Sequence, residues 1–323
     1  LDAGVRKGEK IIIRTNNNIF SALLILSALR YDLCILPLPS DTNDNEIRTH
    51  KQNIGAAIAL SCTPDGVEVD NKMYSLCDIL EKPEYHIDSF FGEFPCLITL
   101  TSGTTGRPKY VVHSANNLVN CSLMFNSAAG ISEDDKFLNI LPMYYMAGIF
   151  NCLISPLAAC SVVHIRPMFS TLSALEFWSV VKSYDITALW LAPTMLSIIS
   201  KLDRTLGRPT HNLRRLFVGT ASLSSTDAKN FYDKYGVKPI QSYGLSELLF
   251  VALDNIDSSN FGSVGTPLKG ITISFNTESR ISISSPFQFM GYLSSGRIKP
   301  ASSIFITSDL GYFDQSGKLW ISG

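Results

Sequence analysis

Short runs of branched apolar residues alternate with longer stretches of helical apolar spacing, and that alternation restricts the folds open to this chain more than any other feature. Ile11-Ile12-Ile13 reads as a strand, Ile19 to Leu29 as a helix, Cys34 to Leu38 as a strand, Asp44 to Gln52 as a helix and Ala56 to Leu60 as a strand. Strands joined through helices run parallel, and a parallel sheet is covered on both faces. The rhythm resumes with strands at Ser161 to Ile165, Ala188 to Leu191 and Leu216 to Val218, each followed by a helix: Leu172 to Ser183, Pro193 to Leu202 and Asp227 to Tyr235. After about Asn255 the pattern changes. Ile271, Ile273 and Phe275 alternate with small or polar residues, as do Ile281 and Ile283, Ile304 and Ile306, and Leu319 and Ile321. Such alternation marks half-buried antiparallel strands. The expected architecture is therefore α/β: wound, largely parallel sheets flanked by helices over 1–255, then a smaller β-rich subdomain over 256–323, with no Pro/Gly/Ser linker between them.

Composition narrows the function. Hydrophobic residues make up 46% of the 323 and charged ones 17%, which excludes a disordered chain and allows more than one sheet. Lys+Arg 27 against Asp+Glu 28 leaves a formal charge of -1, so no global field draws the protein to nucleic acid or anionic lipid. Any anion it binds must meet a local site. The seven cysteines are scattered with no C-x-x-C pair, which reads as reduced core thiols in a cytoplasmic protein. Phe137 to Val163 carries no Asp, Glu, Lys, Arg or His and is long enough to cross a bilayer. Pro142, Asn151 and Pro156 interrupt it, and Gly148 with Ala158-Ala159 fits a loop and then a buried helix, so no membrane span is expected. The five histidines have no metal-ligand spacing, and no Gly-x-Ser-x-Gly elbow is present.

The strongest chemical signal is Thr101-Ser102-Gly103-Thr104-Thr105-Gly106-Arg107-Pro108-Lys109, set between the apolar runs Cys96 to Leu100 and Tyr110 to Val112. Small residues with hydroxyls or no side chain, then a second Gly, let backbone N–H groups and Ser/Thr oxygens close around an oligophosphate. Arg107 or Lys109 adds positive charge. A plain hairpin tip also uses Ser, Thr and Gly, but has no need of the Pro-Lys ending. The Walker spacing of P-loop NTPases is absent, and the run after Lys109 reads as a strand rather than a helix N-terminus.

This nonapeptide resembles the signature loop of the adenylate-forming superfamily, which includes acyl-CoA synthetases, nonribosomal-peptide adenylation domains and luciferases. Gln241-Ser242-Tyr243-Gly244-Leu245-Ser246-Glu247 is similar to that family's aromatic-Gly-x-Thr-Glu motif. The resemblance implies the Tyr243 ring against adenine, the Ser246 hydroxyl at the α-phosphate and Glu247 on magnesium. The residue types suit those tasks: a flat ring offers stacking area, Gly244 lets the backbone come close, and a carboxylate is a hard oxygen ligand. Gly219-Thr220-Ala221-Ser222-Leu223 resembles the Gly-Gly-Ala-Pro segment that lies along the nucleotide, with Thr220 and Ser222 replacing the second Gly and the Pro. Thr307-Ser308-Asp309-Leu310-Gly311 resembles the Thr-Gly-Asp motif, whose Asp accepts from the ribose hydroxyls. Pro142-Met143-Tyr144-Tyr145-Met146-Ala147-Gly148 is similar to the segment lining the acyl or pantetheine channel, with Tyr145 in place of the frequent His. Tyr145, Met146 and Gly148 are thereby implied in an acyl pocket.

The resemblance runs from about Gly4 to Gly323 and implies ATP-dependent activation of a small carboxylic acid to an acyl-adenylate. ATP and Mg2+ are the implied cofactors, and the thiol of coenzyme A or of a carrier protein's phosphopantetheine is the implied acceptor. Catalysis would fall to Thr104, Lys109, Ser246 and Glu247. Nucleotide binding would fall to the loop Thr101 to Gly106 with Lys109, to Gly219, Thr220 and Ala221, to Ser242, Tyr243, Gly244 and Ser246, and to Asp309. Family members continue into a small C-terminal domain that supplies a lysine for adenylation, so the chain is expected to stop short of it and to adenylate weakly as it stands. The alternative is a non-catalytic nucleotide or acyl-adenylate binding module on the same fold, and a kinase or NTPase would instead leave ADP. No Asp lies between Phe137 and Ile165 to hold an α-amino group, which favours an acid other than an amino acid.

Overall fold

The computed structural model describes residues 5–63, 65–69, 72–75, 92–101, 108–204, 209–255 and 261–323. Ile11, Ile12 and Ile13 are all buried, because Lys10–Thr15 lies between the parallel strands Cys34–Pro39 and Ile58–Cys62. Strand alternation sends Ile11 and Ile13 to one face, with Phe20, Ile25 and Leu29 of the helix Ile19–Arg30. Ile12 faces the other side, with Ile47 and Ile54 of the helix Asp44–Ile54. Asn18 and Asn43 start these helices by accepting from the N–H groups of Ser21 and Glu46.

Among the described residues the strands form three sheets. The first runs, in spatial order, Arg297–Pro300, Gly291–Ser294, Lys109–Ser114, Pro95–Thr101, Cys34–Pro39, Lys10–Thr15, Ile58–Cys62, Val67–Val69 and Lys72–Tyr74. It is parallel from Pro95–Thr101 to Ile58–Cys62 and antiparallel outside them. The second runs Thr266–Pro267, Leu249–Leu253, Pro239–Leu245, Arg215–Val218, Ala188–Leu191, Lys136–Asn139 and Val162–Ile165. It is parallel from Pro239–Leu245 onward. The third is antiparallel: Thr272–Phe275, Arg280–Ser284, Phe305–Phe313 and Leu319–Ile321. The C-terminal segment is therefore rich in strands, but it supplies edge strands to the first two sheets as well as the whole of the third.

The helix Ala115–Ala129 follows directly on Lys109–Ser114 of the first sheet and packs against the second. Its Phe125, wholly buried, stacks on Phe250 with 3.8 Å between ring centroids and meets Trp190 and Phe217. These rings seat the helix on the second sheet, within a buried cluster that also takes in Ile11, Ile13, Ile35 and Leu97 of the first.

Two stretches differ from expectation. The segment expected as one helix from Leu172 to Ser183 is two, Thr171–Leu175 and Phe177–Ser183. The break at Glu176 lets Ala174 from the first, and Phe177, Trp178 and Val181 from the second, all turn inward. In the charge-free run, Asn151 and Pro156 do not break the helix: the π-helix Ala147–Ile154 continues into Ser155–Ala158. Pro156 has no N–H to donate, and the wide turn ahead of it accommodates the missing bond. Among the described residues no helix is long and apolar enough to cross a membrane. The described cysteines are all free, and only Cys160 is exposed.

Asp135 is a buried anchor of the second sheet. Its carboxylate accepts from Thr187 Oγ1 at 2.7 Å, Arg214 Nη2 at 3.0 Å and Arg215 Nη1 at 3.0 Å. Removing one partner of a buried pair leaves the others uncompensated. Asp135→Ala is expected to cost about 3 kcal/mol in urea unfolding, and a loss under about 1 kcal/mol would contradict the anchoring role.

Candidate functional site

Ligands of open α/β sheets bind beyond the carboxyl ends of the strands, and here those ends of the second sheet face a cleft of about 1170 Å³. Ile140, Ala192, Gly219, Ser242 and the stretch from Gly244 to Glu247 line it, each just past or at the end of a parallel strand; Tyr243 and Asp309 are not among the lining residues, but their chain neighbours Ser242, Gly244 and Ser308 are. Thr101 and Lys109 reach it from the first sheet, and Arg280, Thr307 and Ser308 from the third.

Tyr243 is buried at the end of Pro239–Leu245, and its hydroxyl donates to Asp309 Oδ2 at 2.6 Å. Burial and then that carboxylate push the phenol's pKa well above its ordinary value, so it stays a donor. Asp309 is fixed in turn, because its N–H donates to Thr307 Oγ1 at 3.0 Å. Glu247 is buried as well, and its Oε1 accepts from Tyr292 OH at 2.8 Å. The other oxygen of Glu247 has no hydrogen bond among the described residues. The Lys109 ammonium stands over the Tyr292 ring, 5.2 Å from its centroid. One aromatic residue thus ties the lysine that ends the hydroxyl-rich loop to the glutamate of the second motif.

His113 holds the backbone beside that glutamate. Its imidazole is fully buried, and Nε2 lies 2.6 Å from the Ser246 carbonyl, so Nε2 carries the proton and donates. Burial pushes its pKa down to about 4, only partly offset by the bond to Ser246.

Thr101 pairs with Lys109 across the antiparallel strands Pro95–Thr101 and Lys109–Ser114, so the strand expected after Lys109 is present and the loop closes a hairpin. Ser102, Gly103, Thr104, Thr105 and Gly106 lie outside the described residues. Ser242 lines the cleft while its hydroxyl donates to Ala252 O at 3.0 Å. Gly244 follows a bulge in which a Cβ would come within 2.2 Å of Leu249 O, so only glycine fits. Gly219 is buried against Trp190, and Thr220 has φ 71, the left-handed region that disfavours β-branched residues. Thr220 and Ala221 are exposed.

Tyr145 and Met146 line the cleft, with Tyr145 57% exposed. Gly148 packs behind it: a Cβ there would meet Pro142 O at 2.1 Å, and its carbonyl accepts from Asn139 Nδ2 at 3.0 Å.

Residues 1–292 match the model of a family described as AMP-binding enzyme. The chain belongs to that family. This AMP-binding enzyme is 27% identical over 276 residues to malonate–CoA ligase of Arabidopsis thaliana, covering 76% of the chain and 45% of that protein. It is 24% identical over 375 aligned residues to oxalate–CoA ligase of the same plant, covering 100% of the chain and 70% of that protein. The chain spans about half the length of several curated relatives it matches. The fold is that of ATP-bound MatB from Rhodopseudomonas palustris, with TM-score 0.85 at 21% identity over 100% of this chain and 70% of that one.

Sequence reasoning missed Tyr292, His113 and Trp190. Tyr292 follows Gly291 in a short strand, second from the edge of the first sheet, with no motif of its own. His113 could have been read as buried from the apolar Tyr110 to Val112 before it, but not as a support for Ser246.

This geometry has two measurable effects on stability. Above the ordinary pKa of 6.5 His113 is neutral folded or unfolded, whereas between 6.5 and about 4 only the unfolded chain binds its proton. Stability is therefore expected to fall as pH drops through that window, by on the order of 3 kcal/mol, and His113→Gln should remove this part of the pH dependence in urea unfolding. Thr220→Gly relieves the left-handed strain and should raise stability by about 0.5 to 1 kcal/mol in the same assay.

Proposed function

We propose that the protein activates a carboxylic acid with ATP and passes the acyl group to the thiol of coenzyme A. The substrate carboxylate oxygen attacks the α-phosphorus and the bond to pyrophosphate breaks. The thiol sulfur then attacks the acyl carbon and AMP leaves. The observation that carries this reading is one cleft lined by Glu247, by Thr101 and Lys109 at the base of the hydroxyl-rich hairpin, and by the chain neighbours of a buried ring bonded to a carboxylate, Tyr243 and Asp309. The CoA ligases among the relatives favour coenzyme A over a carrier protein as acceptor.

In this reading the Tyr243 ring lies against adenine and Asp309 accepts from the ribose hydroxyls with the oxygen that Tyr243 leaves open. Ser246 meets the α-phosphate. Thr101 to Gly106, with Thr104 at their centre, and Lys109 hold the departing pyrophosphate, which is stabilisation of developing charge by positioned donors. Glu247 suits Mg2+: it offers a carboxylate oxygen without a hydrogen-bond partner among the described residues, and Mg2+ on nucleotides commonly takes one or two carboxylates beside the phosphates. When bound there the ion would neutralise phosphate charge. Malonate and oxalate, for which two relatives are named, each carry a second carboxylate. Free, mostly buried cysteines support a cytoplasmic setting.

Calorimetric titration with ATP tests the assignment. Asp309→Asn should weaken ATP about 10-fold with or without Mg2+, while Glu247→Gln should abolish only the gain that Mg2+ brings. Unchanged affinity in both variants would overturn the site. Acid-dependent exchange of pyrophosphate into ATP by the protein supports the enzyme, whereas ATP binding without exchange for any acid supports a non-catalytic module, and ADP as product a kinase.

A further inference from the structure

Resting on the reading above, we infer that the acid taken by this cleft ends in an uncharged apolar or aromatic tail and not in a second carboxylate. The charged side chains that line the cleft among the described residues are Lys109, Glu247 and Arg280. All three sit with the groups assigned to the nucleotide. Lys109 stands over Tyr292, whose hydroxyl donates to Glu247, and Arg280 lies on the third sheet, paired with Glu278 at 3.6 Å.

The other arm of the cleft has a different chemistry. Ile140, Leu141, Met146, Phe150, Trp190 and Met195 form its walls. Trp190 is the floor: its ring lies 3.4 Å from where a Cβ on Gly219 would stand, and it is stacked on Phe250 with 5.4 Å between centroids. Phe150 closes the same cluster, 4.8 Å from Phe250. The polar side chains on this arm, Asn151 and Thr194 among them, are uncharged.

Gly219 lies between that floor and Ser242, whose carbonyl is 3.3 Å from the same Cβ position, and Ser246 lines the same cleft as Trp190, so an acyl group joined to an α-phosphate at Ser246 has the Trp190 side open to it. An ionised carboxylate there would give up its water with no cation among the described lining residues to receive it, and an ammonium would find no carboxylate among them, both strongly disfavoured. A ring or alkyl chain would bury apolar surface against the indole at no such cost.

Acyl-adenylate mimics test this on the chain itself. Titration calorimetry would compare ATP, 5′-O-sulfamoyl-adenosine, and its N-phenylacetyl and N-succinyl derivatives. The phenylacetyl mimic should bind about 10- to 100-fold tighter than the succinyl mimic, the ratio expected for burying one ring against stranding one charge. Equal or tighter binding of the succinyl mimic overturns the inference, as does a phenylacetyl mimic no tighter than unacylated sulfamoyl-adenosine. If neither ATP nor sulfamoyl-adenosine binds, the nucleotide site itself fails and takes this inference with it, an outcome distinct from the other two.

Discussion

The hydroxyl of Tyr243 on the second sheet donates to Asp309 on the third, and the hydroxyl of Tyr292, one strand in from the edge of the first, donates to Glu247 at the end of the second. These two bonds connect three sheets at the point where the cleft opens. Each tyrosine is kept protonated, its pKa raised first by burial and then by the carboxylate it serves. Each carboxylate is therefore fixed through one oxygen, and the other has no hydrogen bond among the described residues. Groups positioned in advance need no reorganisation when charge develops, which is what gives such contacts their value in phosphoryl chemistry.

The support behind this arrangement is apolar. Phe125, on the helix that follows the first sheet, packs on Trp190, Phe217 and Phe250 of the second, and Trp190 and Phe250 also line the cleft. The Trp190 ring thus serves both the core and the cleft wall.

Much of this was legible in the residues. Ile11 to Ile13, Cys34 to Leu38 and Ala188 to Leu191 declared buried parallel strands, because a continuous branched run can be satisfied only inside a two-sided sheet. Tyr243, Glu247 and Asp309 were named from motif order, and the structure brings Tyr243 and Asp309 into direct contact. What escaped depends on partners distant in sequence. Alternation at Ile281 and Ile283 reports half-burial but not which sheet a strand joins, so the pairing of Gly291–Ser294 with Lys109–Ser114 could not be read. Tyr292 acquires its role only through that pairing. His113 and Ser246 are likewise 133 residues apart, and no local pattern signals their bond. The π-helix at Ala147–Ile154 escaped for a steric reason: Gly148 admits the Pro142 carbonyl into the place of a Cβ, a contact that spacing does not encode.

Photolabelling with 2-azido-ATP, followed by peptide mapping of the adduct, tests the central claim most directly, since the azide reports where adenine rests. Label on Tyr243 or on the neighbouring turn at Gly219 to Ser222, lost when unmodified ATP competes, is the predicted result. Competable label confined to residues outside this cleft would contradict the account.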